Sequence, residues 1–368
     1  MIHETMIREI LARPQDIAWL PWAVQYFFFI GLACSAVLFA GGQRICARQG
    51  KLSAQQSQWE FTALMLAVTA VVVAPLALNA DLHQPARVWH FYAHFTPWSW
   101  MSWGSIFLPL FSLLVMGYFL ALIYSRLKAK PLPRLLAGLA LLCGLSAISI
   151  LLYTGREVSI LRAQPLWFSL WLPLFIFLTA CQAIPSLLAL WLWREPQYQR
   201  PLARWQLISL VVLAWVTLLW VYSDKLWVYS DKLWASGDNL SAPALRHWAV
   251  QSPFIALFPL ALWLLLFGLA LFNGRKTLST PVIATQALIA LTLCWSVRWL
   301  LLMQTQTLPK YNVLANPYTL PLGSEGLLAI IGTFGLWVAA IIAIREGVKW
   351  LEQKVTSANR VEGEIHHG

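Results

Sequence analysis

Charge is what this sequence has least of. Asp, Glu, Lys and Arg make up 11% of its 368 residues, where a soluble globular domain carries about 25%. So few charges cannot coat a water-facing surface of this size. A soluble fold is all but excluded, and most of the chain must face hydrocarbon or other helices. Paired cysteines are missing as well. Cys34, Cys46, Cys143, Cys181 and Cys294 stand singly with no Cys-x-x-Cys spacing, so the chain encodes neither a zinc site nor an iron–sulfur ligand run. Histidine is absent from the long apolar runs: His3, His83, His90, His94, His247, His366 and His367 all lie between or beyond them. A haem held between membrane helices usually takes two axial histidines, and none is offered. Despite a net charge of +11, no single basic face exists, which excludes a nucleic-acid module. No Ser-, Pro- or Gly-rich linker interrupts the chain, which reads as a single membrane domain over residues 1–368.

What is present is apolar sequence in long continuous runs. About 20 apolar residues make a helix long enough to cross a bilayer. Nine such runs occur, at about 21–41, 61–80, 101–124, 135–153, 167–193, 205–222, 254–272, 281–303 and 327–344. Continuity rather than alternation excludes barrel strands, so the expected fold is all-α and polytopic, with about nine transmembrane helices. The fifth run is long enough to tilt or to bend at Pro185. Residues 1–20 carry Arg8 and Arg13 against Glu4, Glu9 and Asp16, so there is no cationic n-region, and the first run is expected to be an anchor rather than a signal peptide.

The few cations sort by side. The connections after runs 1, 3, 5 and 7 and the C-terminal tail hold 16 Lys and Arg in about 72 residues. The N-terminus and the connections after runs 2, 4, 6 and 8 hold 9 in about 107. The positive-inside rule then places the N-terminus outside and the C-terminus in the cytoplasm. The outer connections are richer in Trp; Trp89, Trp98, Trp100 and Trp103 cluster in one of them, which suits an interfacial aromatic belt. Val-Tyr-Ser-Asp-Lys-Leu-Trp at 221–227 recurs unchanged at 228–234, a tandem duplication that carries no chemistry of its own.

Ionisable groups at membrane depth are costly and therefore functional candidates. Asp81, His83 and Arg87 end the second run, Arg156 and Glu157 end the fourth, Arg298 lies inside the eighth, and Gln25 and Tyr26 open the first. All fall at the outer ends of their helices. Taken singly, each has an ordinary structural explanation: Arg298 can snorkel, and Asp81 can cap a junction or pair with Arg87. Taken together, their shared depth points to one site, in which Arg298 needs a counter-ion, Asp81 or Glu157. His90 and His94 are spaced i, i+4, but a loop position beside several Trp and Pro97 argues against a metal site.

These segments resemble a known family. Gln-Tyr-Phe-Phe-Phe-Ile-Gly-Leu at 25–32, Asp81-Leu82 with Pro85 and Arg87, Thr96-Pro97-Trp98-Ser99-Trp100 with Trp103-Gly104, Tyr153-Thr154-Gly155 and Pro165-Leu166-Trp167 are similar to the quinol-interacting membrane subunits of the polysulfide reductase and formate-dependent nitrite reductase type. The match departs at His83, where the family has Gly, and at the inserted heptad. The resemblance implies two four-helix bundles with a peripheral ninth helix in the bacterial inner membrane, oxidising quinol, such as menaquinol, at the outer face. Partners would be an extracytoplasmic iron–sulfur subunit and a molybdopterin catalytic subunit serving anaerobic respiration. Neither cofactor, nor haem, would bind this chain. Tetrathionate is the first expectation for the terminal oxidant, with polysulfide or thiosulfate as alternatives. On this reading Asp81 and Glu157 accept protons, as does His83 on its own chemistry rather than on the resemblance, while Gln25, Tyr26, Arg87, Tyr153, Arg156 and Arg298 bind the quinol. Two rivals stay open: an ion-coupled secondary transporter, whose site should lie near midplane, and a haem-handling export factor suggested by the Trp-rich loop.

Overall fold

The computed structural model describes residues 17–47, 52–82, 84–161, 164–226, 238–276, 278–308 and 318–365. Among them the protein is helical with no strand, and nine helices are long and apolar enough to cross a membrane. In chain order the helices are α1 (Pro21–Ile45), α2 (Ala54–Asp81), α3 (His90–Ala93), α4 (Trp100–Leu127), α5 (Pro133–Ser159), α6 (Trp171–Cys181), α7 (Ala183–Trp191), α8 (Pro196–Val221), α9 (Ser223–Leu226), α10 (Asp238–Gln251), α11 (Pro253–Arg275), α12 (Thr280–Trp299) and α13 (Leu327–Ile365). The second heptad copy, 228–234, lies outside the described residues.

Several helices begin where local chemistry dictates. Proline opens α1, α5, α8 and α11, where its missing N–H costs nothing and its fixed φ suits the first turn. A capping box opens α2: Ser53 Oγ accepts from Gln56 N at 3.2 Å, and Gln56 Oε1 accepts from Ser53 N at 3.0 Å. Polar residues such as Gln56 and Gln58 thus join the helix before its apolar run starts, and most spans outgrow their runs in the same way. The last helix continues well beyond residue 344, to Ile365.

The fifth span is broken rather than merely tilted. Its helix stops at Cys181 and resumes at Ala183, with Gln182 at the junction. Pro185 explains the place, because it has no N–H for the carbonyl four residues back, Cys181, and its ring crowds that carbonyl. The junction at Gln182 is held by its own side chain, whose Nε2 donates to Thr179 O at 2.9 Å and to Ala290 O at 3.0 Å.

Helices α1, α2, α4 and α5 pack as one four-helix set; the α6–α7 span, α8, α11 and α12 form a second. Helix α1 packs against both, and 89% of its most apolar window is buried, against 11% for α11 on the lipid-facing side. Helix α13 lies outside the two sets, against α2, α1 and α4. Trp337 anchors it: the indole donates to Thr69 Oγ1 at 3.0 Å and meets Phe28 and Phe29 edge-on.

A buried charge cluster ties three helices of the first set at the end away from Asp81. Glu60 is wholly buried. It accepts from Arg44 Nε at 2.7 Å, from Arg44 Nη2, and from the Tyr118 hydroxyl. Fork geometry from arginine lets one side chain satisfy both carboxylate oxygens.

Candidate functional site

The site is built where α2 runs out of apolar sequence. Asn79 and Asp81 close that helix, and the chain then turns through a 3-10 segment, Pro85–Arg87, and the single turn of α3 before α4 begins at Trp100. A groove of about 500 Å³ is left between these elements. Pro75, Leu78 and Asn79 of α2 form one wall, and Val88, Phe91 and Tyr92 of the connection form its roof. The facing wall is α4, from Met101 down to Leu113, and Tyr153 and Glu157 of α5 close the back. Leu113 and Met101 are also exposed at the outer surface of the helices, so the groove communicates with the lipid-facing side.

Tyr153 and Glu157 are one helical turn apart and face the same way; the phenol lies within hydrogen-bonding reach of the carboxylate. Gly104 makes this placement possible. A Cβ there would collide with the Tyr153 ring and hydroxyl, so only glycine lets the ring rest on α4. Asp81 from α2 is close enough to Glu157 for their charges to interact, and Tyr26 from α1 is within electrostatic range of both Tyr153 and Glu157. Asp81 also accepts the backbone N–H of Leu20 at 3.2 Å. Leu20 precedes α1 and has no capping side chain of its own, so Asp81 places a carboxylate at that helix's N-terminus.

The other sequence candidates fall in three places. Gln25 and Tyr26 are buried on α1, which does not line the groove, and both Gln25 amide atoms and the Tyr26 hydroxyl have no hydrogen-bond partner among the described residues. Arg87 and Arg156 are exposed, and neither lines the groove. His83 lies outside the described residues. Arg298 sits away from the groove, fully buried where α12 meets α1 and α6.

Carbonyls, not the expected carboxylate, satisfy Arg298. Nε donates to Phe27 O at 2.9 Å, Nη1 to Cys294 O at 2.7 Å and Thr179 Oγ1 at 2.9 Å, and Nη2 to Ile176 O at 3.0 Å. Among the described residues no carboxylate pairs with it. Five donors in a rigid fork make this possible for arginine alone. Gly31 clears the space: a Cβ there would lie 2.6 Å from Nη2.

His90 and His94 stand on α3 and at its end, in a short helix where a loop was expected, with ring centroids 6.1 Å apart. No third ligand joins them, and no group of three His, Cys, Asp or Glu occurs among the described residues. Sequence reasoning passed over Asn79, Tyr92, Ser105 and Ser112, the further polar groups along the groove. Signals existed: Ser105 and Ser112 are seven apart, hence on one helix face, and interior prolines Pro75 and Pro109 mark the stretches of α2 and α4 that line the groove.

The pattern of the family described as "Polysulphide reductase, NrfD" matches residues 9–310, which include every groove residue and eight of the nine spans. The C subunit of tetrathionate reductase from Salmonella typhimurium is 45% identical over 362 residues, covering 96% of this chain and 99% of that protein. With likeness over nearly the whole length and a helical, multispanning fold, the chain belongs to the NrfD polysulphide reductase family and is a multi-pass membrane protein.

Proposed function

We propose that this protein is the quinol-oxidising membrane subunit of a respiratory reductase complex, and that its groove takes the quinol ring. The observation that carries the reading is the character of the groove: a Tyr153–Glu157 pair at the back and apolar walls running along α4 to the lipid side. A quinol needs such a slot for ring and tail, hydrogen-bonding groups for its hydroxyls and an acceptor for protons. On oxidation the quinol gives up two electrons and two protons. Glu157 takes the first proton, with Tyr153 fixing the carboxylate's orientation; Asp81, between Glu157 and the helix end, passes protons out to water. The electrons leave to an iron–sulfur subunit docked at the Asp81 end and go on to a molybdopterin subunit. By the positive-inside rule that end is the outer face of the cytoplasmic membrane. Identity with the Salmonella protein favours tetrathionate as the terminal oxidant; polysulfide and thiosulfate are the alternatives.

The test uses the assembled complex in membranes. Glu157→Gln and Asp81→Asn are expected to abolish quinol-driven reduction of tetrathionate while a reduced artificial dye still drives it. Loss of both activities with assembly intact, or retention of both, overturns the reading.

A further inference from the structure

We infer that Asn79 binds the second oxygen of the quinol, the one directed away from Glu157, and so fixes the orientation of the ring. The inference rests on the groove being the quinol site.

A quinol ring carries its two oxygens at opposite ends. The Tyr153–Glu157 pair on α5 can serve only the end that reaches the back of the groove. On the side wall, α2 offers Pro75, Leu78 and Asn79, and of these Asn79 alone has a hydrogen-bonding side chain. Its amide makes no side-chain hydrogen bond with any described residue and is exposed to the groove. The polar groups of α4 are committed to their own helix: Ser105 Oγ donates to Ser102 O at 2.7 Å and Ser112 Oγ to Leu108 O at 2.8 Å. That leaves Asn79 as the uncommitted side chain on the α2 wall, apart from the Tyr153–Glu157 pair at the back; the remaining polar group, Tyr92, belongs to the roof.

Chemistry favours an amide at this place. An asparagine side chain both accepts and donates. It can accept from the hydroxyl of the quinol and donate to the carbonyl of the quinone, holding the ring through the change of oxidation state. A carboxylate there would accept only, and would put a third acidic group beside Asp81 and Glu157. Asn79 takes no proton and no electron; its role is to bind and orient.

The test measures quinol-driven turnover by the membrane-embedded complex with Asn79→Leu, Asn79→Gln and wild type, normalised to dye-driven activity, which reports assembly. Losing one neutral hydrogen bond to a substrate oxygen is expected to raise the KM for quinol about threefold to tenfold. The change in kcat should be smaller, and Asn79→Gln should recover part of the loss. The mono-O-methyl ether of the quinol serves as a competitive inhibitor. Wild type should bind it more weakly than an inhibitor with both oxygens free, and Asn79→Leu should erase that difference. An unchanged KM in Asn79→Leu, with wild type active on quinol, overturns the role of Asn79 alone. A wild-type complex that turns over with dye but not with quinol overturns the site reading and this inference with it.

Discussion

Arg298 Nε donates to the carbonyl oxygen of Phe27 at 2.9 Å, joining α12 to α1 across the boundary between the two four-helix sets. The same guanidinium reaches Ile176 and Thr179 of α6. One buried cation, solvated by carbonyl dipoles, thus joins three helices from both sets.

Arg298→Lys is expected to destabilise the protein by about 2–4 kcal/mol, because an ammonium's three donors radiate from one point and cannot span Phe27, Ile176 and Cys294 together. Gly31→Ala should act in the same direction by displacing the guanidinium. Thermal unfolding of the purified subunit in detergent measures both. A midpoint equal to wild type in Arg298→Lys would mean that the fork is not needed.

Gly104→Ala should lower quinol-driven turnover at least tenfold. The new methyl group occupies the place of the Tyr153 ring, so the ring must swing out and fill the groove. Dye-driven turnover in the same membranes should persist. Equal loss of the two activities would indicate a folding defect instead.

The Glu60 cluster predicts a non-additive pair. Arg44→Met leaves a wholly buried carboxylate without its cation, at a cost of about 3–5 kcal/mol. Adding Glu60→Gln removes the unpaired charge and should restore much of that stability, a coupling that a double-mutant cycle on unfolding midpoints would read. Additive losses would show that the two groups do not depend on each other.

Outside the spans, Arg246 grips Asp224 with two bonds of 2.7 and 2.6 Å and also donates to Val221 O at the end of α8. The hydrogen bonds from Arg246 hold the Asp224 carboxyl below the usual carboxylate range. A depressed folded-state pKa contributes stability that is present above the unfolded value, about 4, and lost as pH falls through the folded value. Hydrogen exchange in α10, corrected for its intrinsic pH dependence, should therefore rise below about pH 4. In Asp224→Asn it should already be raised at neutral pH. Identical protection in the two proteins at pH 7 would rule the pair out as the clasp.

The sequence by itself determined the fold class and the number of spans. Low charge and nine long apolar runs leave a chain no other way to satisfy its backbone in lipid. It also picked out Glu157 and Asp81, because ionisable groups at one depth stand out against apolar helices, and Tyr153 through the family resemblance. Helix ends were less legible: α2 starts seven residues before its apolar run, since a capping box rather than hydropathy sets its start, and Glu60 passed unnoticed as a loop residue. Only the tertiary structure decided which candidates share a space. Arg298 and Glu157 look equivalent as intramembrane charges, yet one is consumed by carbonyls of α1 and α6 and the other faces the groove. Helix rotation separates Arg156 from its neighbour Glu157, and Asn79 gains its interest only from the wall that faces it. Depth is written along the chain, but facing is set by how helices pack, and a groove exists only between elements far apart in sequence.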